Sequence, residues 1–369
     1  MVEWKKLGEF LDFEQPTRYL VQSTDYNDSY GIPVLTAGQS LLLGYTNETD
    51  GVFEASKENP TIIFDDFTTS FHWIDYCFKV KSSAMKMLKP KVGVNFRYVY
   101  YAMCGIHFVP TQHQRHWISK YSQFEIPVPS IAEQSRIVGI LDTFTASIEN
   151  LKQQITLRRK QYEHYRDQLL DLEGKEGVEM KKMGSIMKIV RGASPRPIKD
   201  YITTKEEGVN WIKIGDVAPN AKYITSTNER ITKEGAEKSR YLKPGDFILS
   251  NSMSFGRPYI LKIDGCIHDG WIAMSSFDNY VIPDYLYEYL NTETVQKYWK
   301  MKANNGGAMT NLNSDIVKDT PILLPSIEEQ SRIVSILDTF EASIANLEQQ
   351  LAQRERQYEY YRNKLLTFE

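Results

Sequence analysis

The chain has 369 residues, enough for two domains of ordinary size and an extended segment besides. Charged residues make up 25% of it, no apolar run is long enough to cross a bilayer, and its start lacks the apolar core of a secretory signal, so we expect a cytoplasmic protein with no membrane partner. Its three cysteines lie far apart, which argues against a disulfide framework, and its net charge of −3 disfavours nucleic-acid binding unless the charges are unevenly distributed.

The first predicted element is a module of mixed α and β structure, residues 1–129, in which the charges are indeed uneven. Between Asp75 and Glu125 it has no acidic residue but eight basic ones. Because Lys and Arg contacts to phosphates supply much of the affinity for DNA, we interpret this stretch as phosphate-contacting; the alternative is a solvated helix face. The candidate residues are Lys81, Lys86, Lys89, Lys91 and Arg97.

Arg115, in the same acid-free stretch, is predicted to read base edges. Arginine on a guanine edge is the commonest specific contact between protein and DNA. Its neighbours can also donate hydrogen bonds: His113, Gln114, His116 and Trp117.

The second predicted element, residues 130–173, recurs almost unchanged as the fourth, residues 326–369. Aligned from Pro129 and Pro325 at a constant offset of 196, the two copies are identical at 30 of 45 positions. Such a repeat is a structural unit used twice, and it divides the chain into module, repeat, module, repeat.

Each copy of the repeat predicts one long helix. Ser130 with Glu133, and the equivalent pair in the second copy, fit the capping box that begins a helix. Apolar residues then recur at alternating steps of four and three, interrupted once per copy, by Arg158 and Arg354. At about 1.5 Å per residue each helix should be roughly 60–65 Å long.

The third predicted element is a second mixed α/β module, residues 174–325. It shares with the first only a weak echo at its start, where Val178–Gly184 resembles Val2–Gly8. Between Glu179 and Asp200 it too has no acidic residue, and small-residue loops carry several of its arginines. We interpret these as groove-entering loops, the alternative being turns whose arginines cap helices or pair with acids. The candidate DNA contacts are Lys182, Arg191, Arg196, Ser252 and Arg257.

A few elements can be placed inside the modules. Tyr98, Tyr100 and Tyr101 are expected to pack in a strand. The alternation at 259–263 predicts a strand, and the pattern at 283–290 predicts a helix.

The two helical repeats are natural partners for each other. Because the first leads the chain from the first module to the second, and the second copy begins at the second module, the pair has to be antiparallel. The predicted fold class is therefore α+β: two mixed α/β modules at opposite ends of a two-helix antiparallel coiled coil. The alternative is that each helix packs only on its own module.

Residue patterns for catalysis or metal binding are weak. Cys104, His107, His113 and His116 have spacings like those of zinc ligands, but we interpret Cys104 and His107 as core and groove-lining residues and expect no metal. Asp65-Asp66 lacks a third carboxylate and is interpreted as a loop or cap. The sequence has no Gly-rich phosphate loop, no nucleophile elbow and no Pro-Pro pair of the kind that adenine methyltransferases carry, so no catalysis is expected.

Pro129-Ser-Ile-Ala-Glu-Gln-Ser-Arg-Ile-Val138 and its second copy resemble the start of the conserved helical regions in the specificity subunits of Type I restriction–modification enzymes. Short motifs of the two modules resemble two classes of target-recognition domain of that family. In the first module they are Gly31-Ile-Pro-Val-Leu-Thr36, Gly44-Tyr45, Ile63-Phe-Asp-Asp-Phe-Thr68 and His113-Gln-Arg-His-Trp117; in the second they are Trp211-Ile-Lys-Ile-Gly-Asp216, Gly245-Asp-Phe-Ile-Leu-Ser250, Ser254-Phe-Gly-Arg257 and Asn311-Leu-Asn313. The resemblance covers essentially the whole chain.

This resemblance implies a non-catalytic subunit that binds double-stranded DNA. Each recognition domain would read one half of a bipartite target, asymmetric here because the modules differ, and the helices would set the spacer. It further implies two modification subunits that methylate adenine with S-adenosylmethionine, and two restriction subunits that use ATP and Mg²⁺, with no cofactor in this chain. The alternatives are a modification-only or phage-defence recognition subunit, and a structural adaptor holding two protein-binding heads, which gives no reason for two acid-free basic stretches.

Overall fold

The computed structural model describes residues 2–38, 40–111, 114–217, 221–252, 255–305, 308–309 and 311–368. The chain divides into two compact units: unit 1 comprises residues 1–152 and 349–369, and unit 2 comprises residues 153–348. None of the helices in the described residues is both long enough and apolar enough to span a bilayer.

Unit 1 contains a mixed α/β module and parts of two long helices. Its elements are β1 (Glu3–Lys6), α1 (Leu7–Phe10), β2 (Leu11–Glu14), β3 (Ile32–Leu35), β4 (Leu42–Thr46), β5 (Thr61–Asp65), β6 (Phe71–Ile74), β7 (Lys79–Val80), β8 (Met85–Pro90), α2 (Phe96–Cys104), β9 (Glu125–Val128) and the first part of α3 (Ile131–Leu170).

The core of unit 1 is built around one sheet, in the order β2-β8-β5-β6. Its two inner strands are buried on both faces. Phe64 and Leu88 pack with α2 and the start of α3, whereas Ile63 and Met87 pack with the smaller sheet β4-β3-β7. An inner strand of this kind leaves no solvent-facing row for polar residues.

Tyr98, Tyr100 and Tyr101 lie in helix α2, so the prediction that they pack in a strand is wrong. Asn95 caps this helix, its side chain accepting a hydrogen bond from the Tyr98 amide at 3.1 Å. Phe96, Val99 and Met103, spaced by three and four residues, are buried. That helical spacing, not the alternation of tyrosines, determines the local structure.

Unit 2 contains the second mixed α/β module and the other parts of the long helices. Its elements after α3 are β10 (Glu179–Lys182), α4 (Met183–Ile186), β11 (Lys188–Arg191), β12 (Ile202–Thr203), β13 (Val209–Ile212), β14 (Tyr223–Ile224), β15 (Glu229–Ile231), α5 (Lys233–Glu237), β16 (Arg240–Leu242), β17 (Phe247–Ser250), β18 (Pro258–Leu261), β19 (Gly265–Ile267), β20 (Trp271–Ser275), α6 (Pro283–Leu290), α7 (Glu293–Ala303), β21 (Asn304–Asn305), β22 (Ala308–Met309), α8 (Ser314–Lys318), β23 (Pro321–Leu324) and α9 (Ile327–Leu366), whose last residues belong to unit 1.

Two five-stranded sheets, β11-β20-β17-β18-β14 and β12-β15-β13-β19-β16, form the framework of unit 2. A hydrophobic cluster containing Ile212, Ile248 and Trp271 joins the two sheets, and a second cluster packs the first sheet against α6 and α7. Strand β18 and helix α6 confirm the two elements predicted for this module.

The weak echo between the two module starts has a structural meaning. Strand β1 pairs antiparallel with β9, and strand β10 pairs in the same way with β23, so each module is closed by a strand immediately before its long helix. Gly8 follows β1 and Gly184 follows β10, and at each glycine another segment of the chain lies close to the backbone. A Cβ on Gly8 would lie 3.2 Å from the Ser122 carbonyl oxygen, and one on Gly184 would lie 2.8 Å from the Lys318 side chain.

Both long helices begin as half of the predicted capping box. The hydroxyls of Ser130 and Ser326 each accept a hydrogen bond from the amide three residues on, at 3.3 Å. The glutamates at those positions do not complete the box, since each pairs with the arginine three residues further along its helix. Buried Gln134 and Gln330 instead join each helix start to its module, donating to the carbonyl oxygens of Pro129 (2.9 Å) and Pro325 (3.1 Å) respectively.

Helices α3 and α9 pair antiparallel within each unit, and the predicted combination of mixed α/β modules with two antiparallel helices is confirmed. In unit 1 Phe144 stacks on Tyr361, with ring centroids 5.3 Å apart. In unit 2 the repeat-equivalent residues, Phe340 and Tyr165, stack at the same distance. The arginines that interrupt the seam lie over these rings, Arg354 at 5.7 Å from Phe144 and Arg158 at 6.0 Å from Phe340.

Two ion pairs between the long helices are equivalent in the repeat but opposite in sign. Lys152 pairs with Glu355 at 3.4 Å, and Arg159 pairs with Glu348 at 2.5 Å. The offset of 196 relates Lys152 to Glu348 and Arg159 to Glu355. In the same antiparallel register, two copies of α3 would therefore oppose Lys152 and Arg159, and two copies of α9 would oppose two glutamates.

Each unit also joins its module to the long helices through polar groups. In unit 1 Arg97 and Tyr101 of α2 both donate to Asp142 of α3, at 2.8 and 2.5 Å. In unit 2 Tyr162 of α3 donates to the buried Glu288 of α6 at 2.6 Å and lies 3.3 Å from Glu341 of α9. Burial raises the pKa of Glu288 to about 7, although Tyr162 and Lys222 stabilise its charged form.

Candidate nucleic-acid interface

Lys86 lies in the interior of the first module, which corrects its prediction as a phosphate contact. Its ammonium nitrogen is 3.2 Å from Asp66 Oδ2, and both side chains are 2% exposed. The cause is the position of Lys86 on β8, an inner strand buried on both faces. A charge at such a position is tolerated only with a partner, and Asp66 supplies it.

Asp66 also holds the segment that carries Arg115. Its Oδ1 accepts hydrogen bonds from the amides of Trp117 (2.7 Å) and His116 (3.1 Å). Trp117 is buried against Phe64, with ring centroids 5.0 Å apart. Arg115 itself is exposed, and no residue that the structure describes forms an ion pair with it. His113 and Gln112 lie outside the described residues.

The other basic candidates of the first module are mostly paired with acids from elsewhere in the sequence. Lys89 lies 2.8 Å from Glu14, and Lys91 lies 3.5 Å from Asp12. Arg97 is the partner of Asp142 described above. Part of the positive charge of the stretch without acidic residues is therefore compensated in space, and phosphate contact by Lys81, Lys89 and Lys91 stays a prediction. Lys81 is exposed, with its ammonium 6.0 Å from the ring of Tyr26.

In the second module three segments that carry predicted DNA contacts meet at Asp269. Arg191 Nε donates to the Asp269 carbonyl oxygen at 3.0 Å, and Arg196 Nη2 lies 3.2 Å from the carboxylate. Asn251, next to the exposed Ser252, donates to the same carbonyl oxygen at 3.3 Å. Arg191, Arg196 and Ser252 are thus brought together although up to 61 residues separate them in sequence.

The Asp269 carboxylate is held in its charged form by its surroundings. Partial burial opposes ionisation, but the hydrogen bond from Ser194 (3.0 Å) and the charges of His268 and Arg196 outweigh it and hold the pKa of Asp269 below its ordinary value. The backbone at Gly192 also lies very close to the segment that carries Asp269. A Cβ on Gly192 would lie 2.1 Å from the His268 carbonyl oxygen, so only glycine fits there.

A cleft of about 1030 Å³ opens beside Asp269. Its lining includes the apolar side chains of Pro195, Pro197, Ile198, Ile202 and Trp211. Arg196, Lys199 and Lys213 contribute three positive charges to its lining, and Glu229, which pairs with Lys213 at 2.5 Å, and Asp269 contribute negative ones. Arg196, which is 82% exposed, lines this cleft, and its guanidinium is available for the guanine-edge contact that arginine makes most often with DNA.

The remaining two candidates of the second module lie elsewhere. Lys182 pairs with Asp319 at 2.7 Å beside the sheet β10-β23. Arg257 is partly buried and lines a cleft of about 450 Å³ together with Arg159, Tyr162 and Arg166 of α3. Arg257 therefore faces the helices of its unit rather than the cluster at Asp269. Ser254 and Met253 lie outside the described residues.

No group of three or more His, Cys, Asp or Glu side chains among the described residues could hold a metal ion. Burial raises the pKa of the Cys104 thiol to about 11, and Asp66 is engaged by Lys86 and two amides. His113 of the zinc-like spacing lies outside the described residues.

The residues that reasoning from sequence missed are the organising ones, Asp66 and Asp269. The sequence predicts only a loop or cap at Asp66, and it predicts no role for Asp269. The signal was present in Asp269-Gly270, a dipeptide typical of tight turns, directly before a buried strand.

Two unlike mixed α/β modules, each followed by a copy of the same long helix, define a duplicated recognition scaffold. A family model described as "Type I restriction modification DNA specificity domain" matches residues 1–158 and 175–356. The specificity subunit of the Type I restriction enzyme EcoR124I/EcoR124II from Escherichia coli is 40% identical to this chain over 390 positions. The alignment covers 100% of this chain and 94% of that protein. A putative Type I specificity subunit of Haemophilus influenzae is 29% identical over 392 positions, covering 100% and 96%.

Solved structures share the fold. The S subunit of a Type I restriction–modification system from M. genitalium matches with a TM-score of 0.56 at 15% identity, over 100% of this chain and 97% of that one. A chain from a study of complex assembly and conformational transition in the type I R-M system matches with a TM-score of 0.62 at 17% identity, over 99% and 97%.

The chain belongs to the family of Type I restriction–modification DNA specificity subunits. Its role is recognition rather than catalysis, and its partners are DNA and other subunits of such a system. This membership favours DNA recognition over the adaptor alternative.

Proposed function

We propose that this chain selects the DNA target of a Type I complex, with each module reading one half of an asymmetric bipartite sequence. The observation that carries the proposal is that the two modules are unlike in sequence while the helices that follow them are near-duplicates. Unlike modules on a duplicated support read unlike half-sites, and the fixed helices keep the spacer between them constant.

Two copies of the modification subunit dock on the long helices, because a support that is repeated presents the same surface twice. Those subunits methylate adenine with S-adenosylmethionine, and two restriction subunits supply ATP- and Mg²⁺-dependent cleavage in the cytoplasm. This chain carries no cofactor of its own. The weak overall charge of −3 agrees with a subunit that relies on partners for part of its DNA affinity.

Base reading is assigned to Arg115 in the first module and to Arg191, Arg196 and Ser252 in the second. Lys81 is the remaining exposed candidate for phosphate contact, and Lys89, Lys91 and Lys182 would have to exchange their carboxylate partners for phosphates. Arg97 and Arg257 support the modules against the helices instead.

The test is to map methylated adenines across the host genome at single-base resolution, with and without this gene. We expect one asymmetric bipartite motif with a constant spacer to be methylated only when the gene is present. A genome whose methylated motifs are identical in both strains, under conditions where the protein is produced, contradicts the proposal.

A further inference from the structure

In the second module the loop at residues 191–196, which carries Arg191 and Arg196, contacts the side chain of Asp269. The Asp269 carboxylate contacts Ser194, Arg196 and His268, at 3.0, 3.2 and 3.2 Å. The Asp269 backbone carbonyl, by contrast, accepts the hydrogen bonds from Arg191 and Asn251. Removing the carboxylate charge therefore affects the contacts with Ser194, Arg196 and His268 and leaves the hydrogen bonds of Arg191 and Asn251 in place.

Arg196 is the more exposed member of its ion pair with Asp269, so Arg196 can contact DNA while Asp269 holds it in position. The Arg196 side chain is 82% exposed, whereas that of Asp269 is 29% exposed. Only one amino group of Arg196 faces the carboxylate within the part of the chain that the structure describes, so the rest of the guanidinium is presented outward. A long exposed arginine loses rotamer freedom when it contacts DNA, and holding it beforehand lowers that cost.

Resting on the proposed function, we infer that Asp269 is a positioning residue for sequence recognition: it orients Arg196 to read one guanine in the half-site of the second module. Arginine forms two parallel hydrogen bonds with the O6 and N7 atoms of guanine in the major groove, and this geometry depends on the direction of the guanidinium plane. Asp269 does not touch the base and acts through Arg196.

The experiment uses the full chain co-purified with its modification subunits, and a duplex carrying the motif found by methylation mapping. Affinity is measured for this duplex and for duplexes with each base pair changed in turn. We compare wild type, D269N, R196A and the double variant D269N/R196A, with E234Q as the matched control. Glu234 pairs with Lys238 at the end of α5, so E234Q removes one exposed negative charge from an ion pair that includes neither Asp269 nor a residue that Asp269 contacts.

We expect D269N to lose on the order of tenfold in discrimination at one guanine position of that half-site. R196A should lose discrimination at the same position, and the double variant should lose no more than R196A does. The other half-site, the melting temperature and the behaviour of E234Q should stay as in wild type.

Unchanged discrimination in D269N overturns the inference. So does a loss spread over every position of the half-site with a lowered melting temperature, which would mean a merely structural role. A loss in D269N that R196A does not share would also overturn it. If the wild-type complex itself prefers no sequence, the proposed function fails rather than this inference alone.

Discussion

Two aspartates, Asp66 and Asp269, each hold a segment that carries an arginine at the surface. In the first module Asp66 binds the backbone beside Arg115 and is neutralised by a buried lysine. In the second, Asp269 binds the arginine side chain directly and stays partly exposed. The two unlike modules thus hold their arginines in two physically different ways.

The pair Lys86–Asp66 makes a specific prediction about stability. Asp66→Asn or Lys86→Met leaves the other charge buried without its partner, and each should lower the free energy of unfolding by about 3–5 kcal/mol. The double variant should lose less than the sum of the two, because no unpaired charge remains. Urea unfolding of the full chain measures all three.

The matched control for this prediction is Lys89→Met, since the Lys89 side chain is 43% exposed and its pair with Glu14 is solvated. It should change stability by no more than about 1 kcal/mol. A stable Lys86→Met variant with weakened DNA binding would show instead that Lys86 is a phosphate contact after all.

At the scale of single elements, the long helices carry information about their partner. The stacked pairs Phe144–Tyr361 and Phe340–Tyr165 are equivalent in the repeat and would form in any pairing of the two helices. The ion pairs of Lys152 and Arg159 form only between α3 and α9, because two copies of the same helix would place like charges opposite each other. Exposed pairs of this kind contribute only about 0.2–1 kcal/mol each to stability, so their effect is on the choice of partner.

The junction of α6 with the long helices predicts a dependence of stability on pH. Burial raises the pKa of Glu288 to about 7 from an ordinary value of 4.5, so the folded state binds this proton more tightly than the unfolded state. The stabilisation is fully present below the unfolded pKa and is lost as pH rises through about 7. The loss amounts to roughly 2–3 kcal/mol between pH 5 and pH 8.

Urea unfolding of wild type and Glu288→Gln across this range isolates the contribution. The difference in unfolding free energy between the two should change with pH in the stated direction, since glutamine does not ionise. Glu237→Gln, at an exposed glutamate of α5, serves as the control and should run parallel to wild type. Parallel curves for Glu288→Gln would mean that Glu288 does not titrate in this range.

At the scale of the whole molecule, the order of module, helix, module and helix could be predicted from sequence, because the helices show a regular apolar spacing and are repeated. The apolar periodicity and the cap serines of the two 40-residue helices depend on residues close together in the sequence, so they can be identified without knowing the tertiary structure. The interior of the modules could not be predicted in the same way. Lys86 has its acid 20 residues away, and the partner of Arg97 lies 45 residues on, so a basic stretch in the sequence became a set of ion pairs in space.

The candidate site was predictable only in part, for a related reason. Arginines in small-residue loops were identified singly, but their convergence depends on strands that bring residues 191, 251 and 269 together. Asp269 has no signal of its own beyond a turn, because its importance comes from contacts distant in sequence. A search for basic residues also overlooks the acids that position them.

The independence of the two modules is tested most directly by exchanging residues 1–129 for the corresponding module of another family member and mapping the methylated motif in the host genome. We predict that one half of the bipartite motif changes, while the other half and the spacer length stay as they were. The reciprocal exchange of residues 174–325 should change the opposite half. If either exchange alters both halves together, or changes the spacer, the modules do not read DNA independently and the account is contradicted.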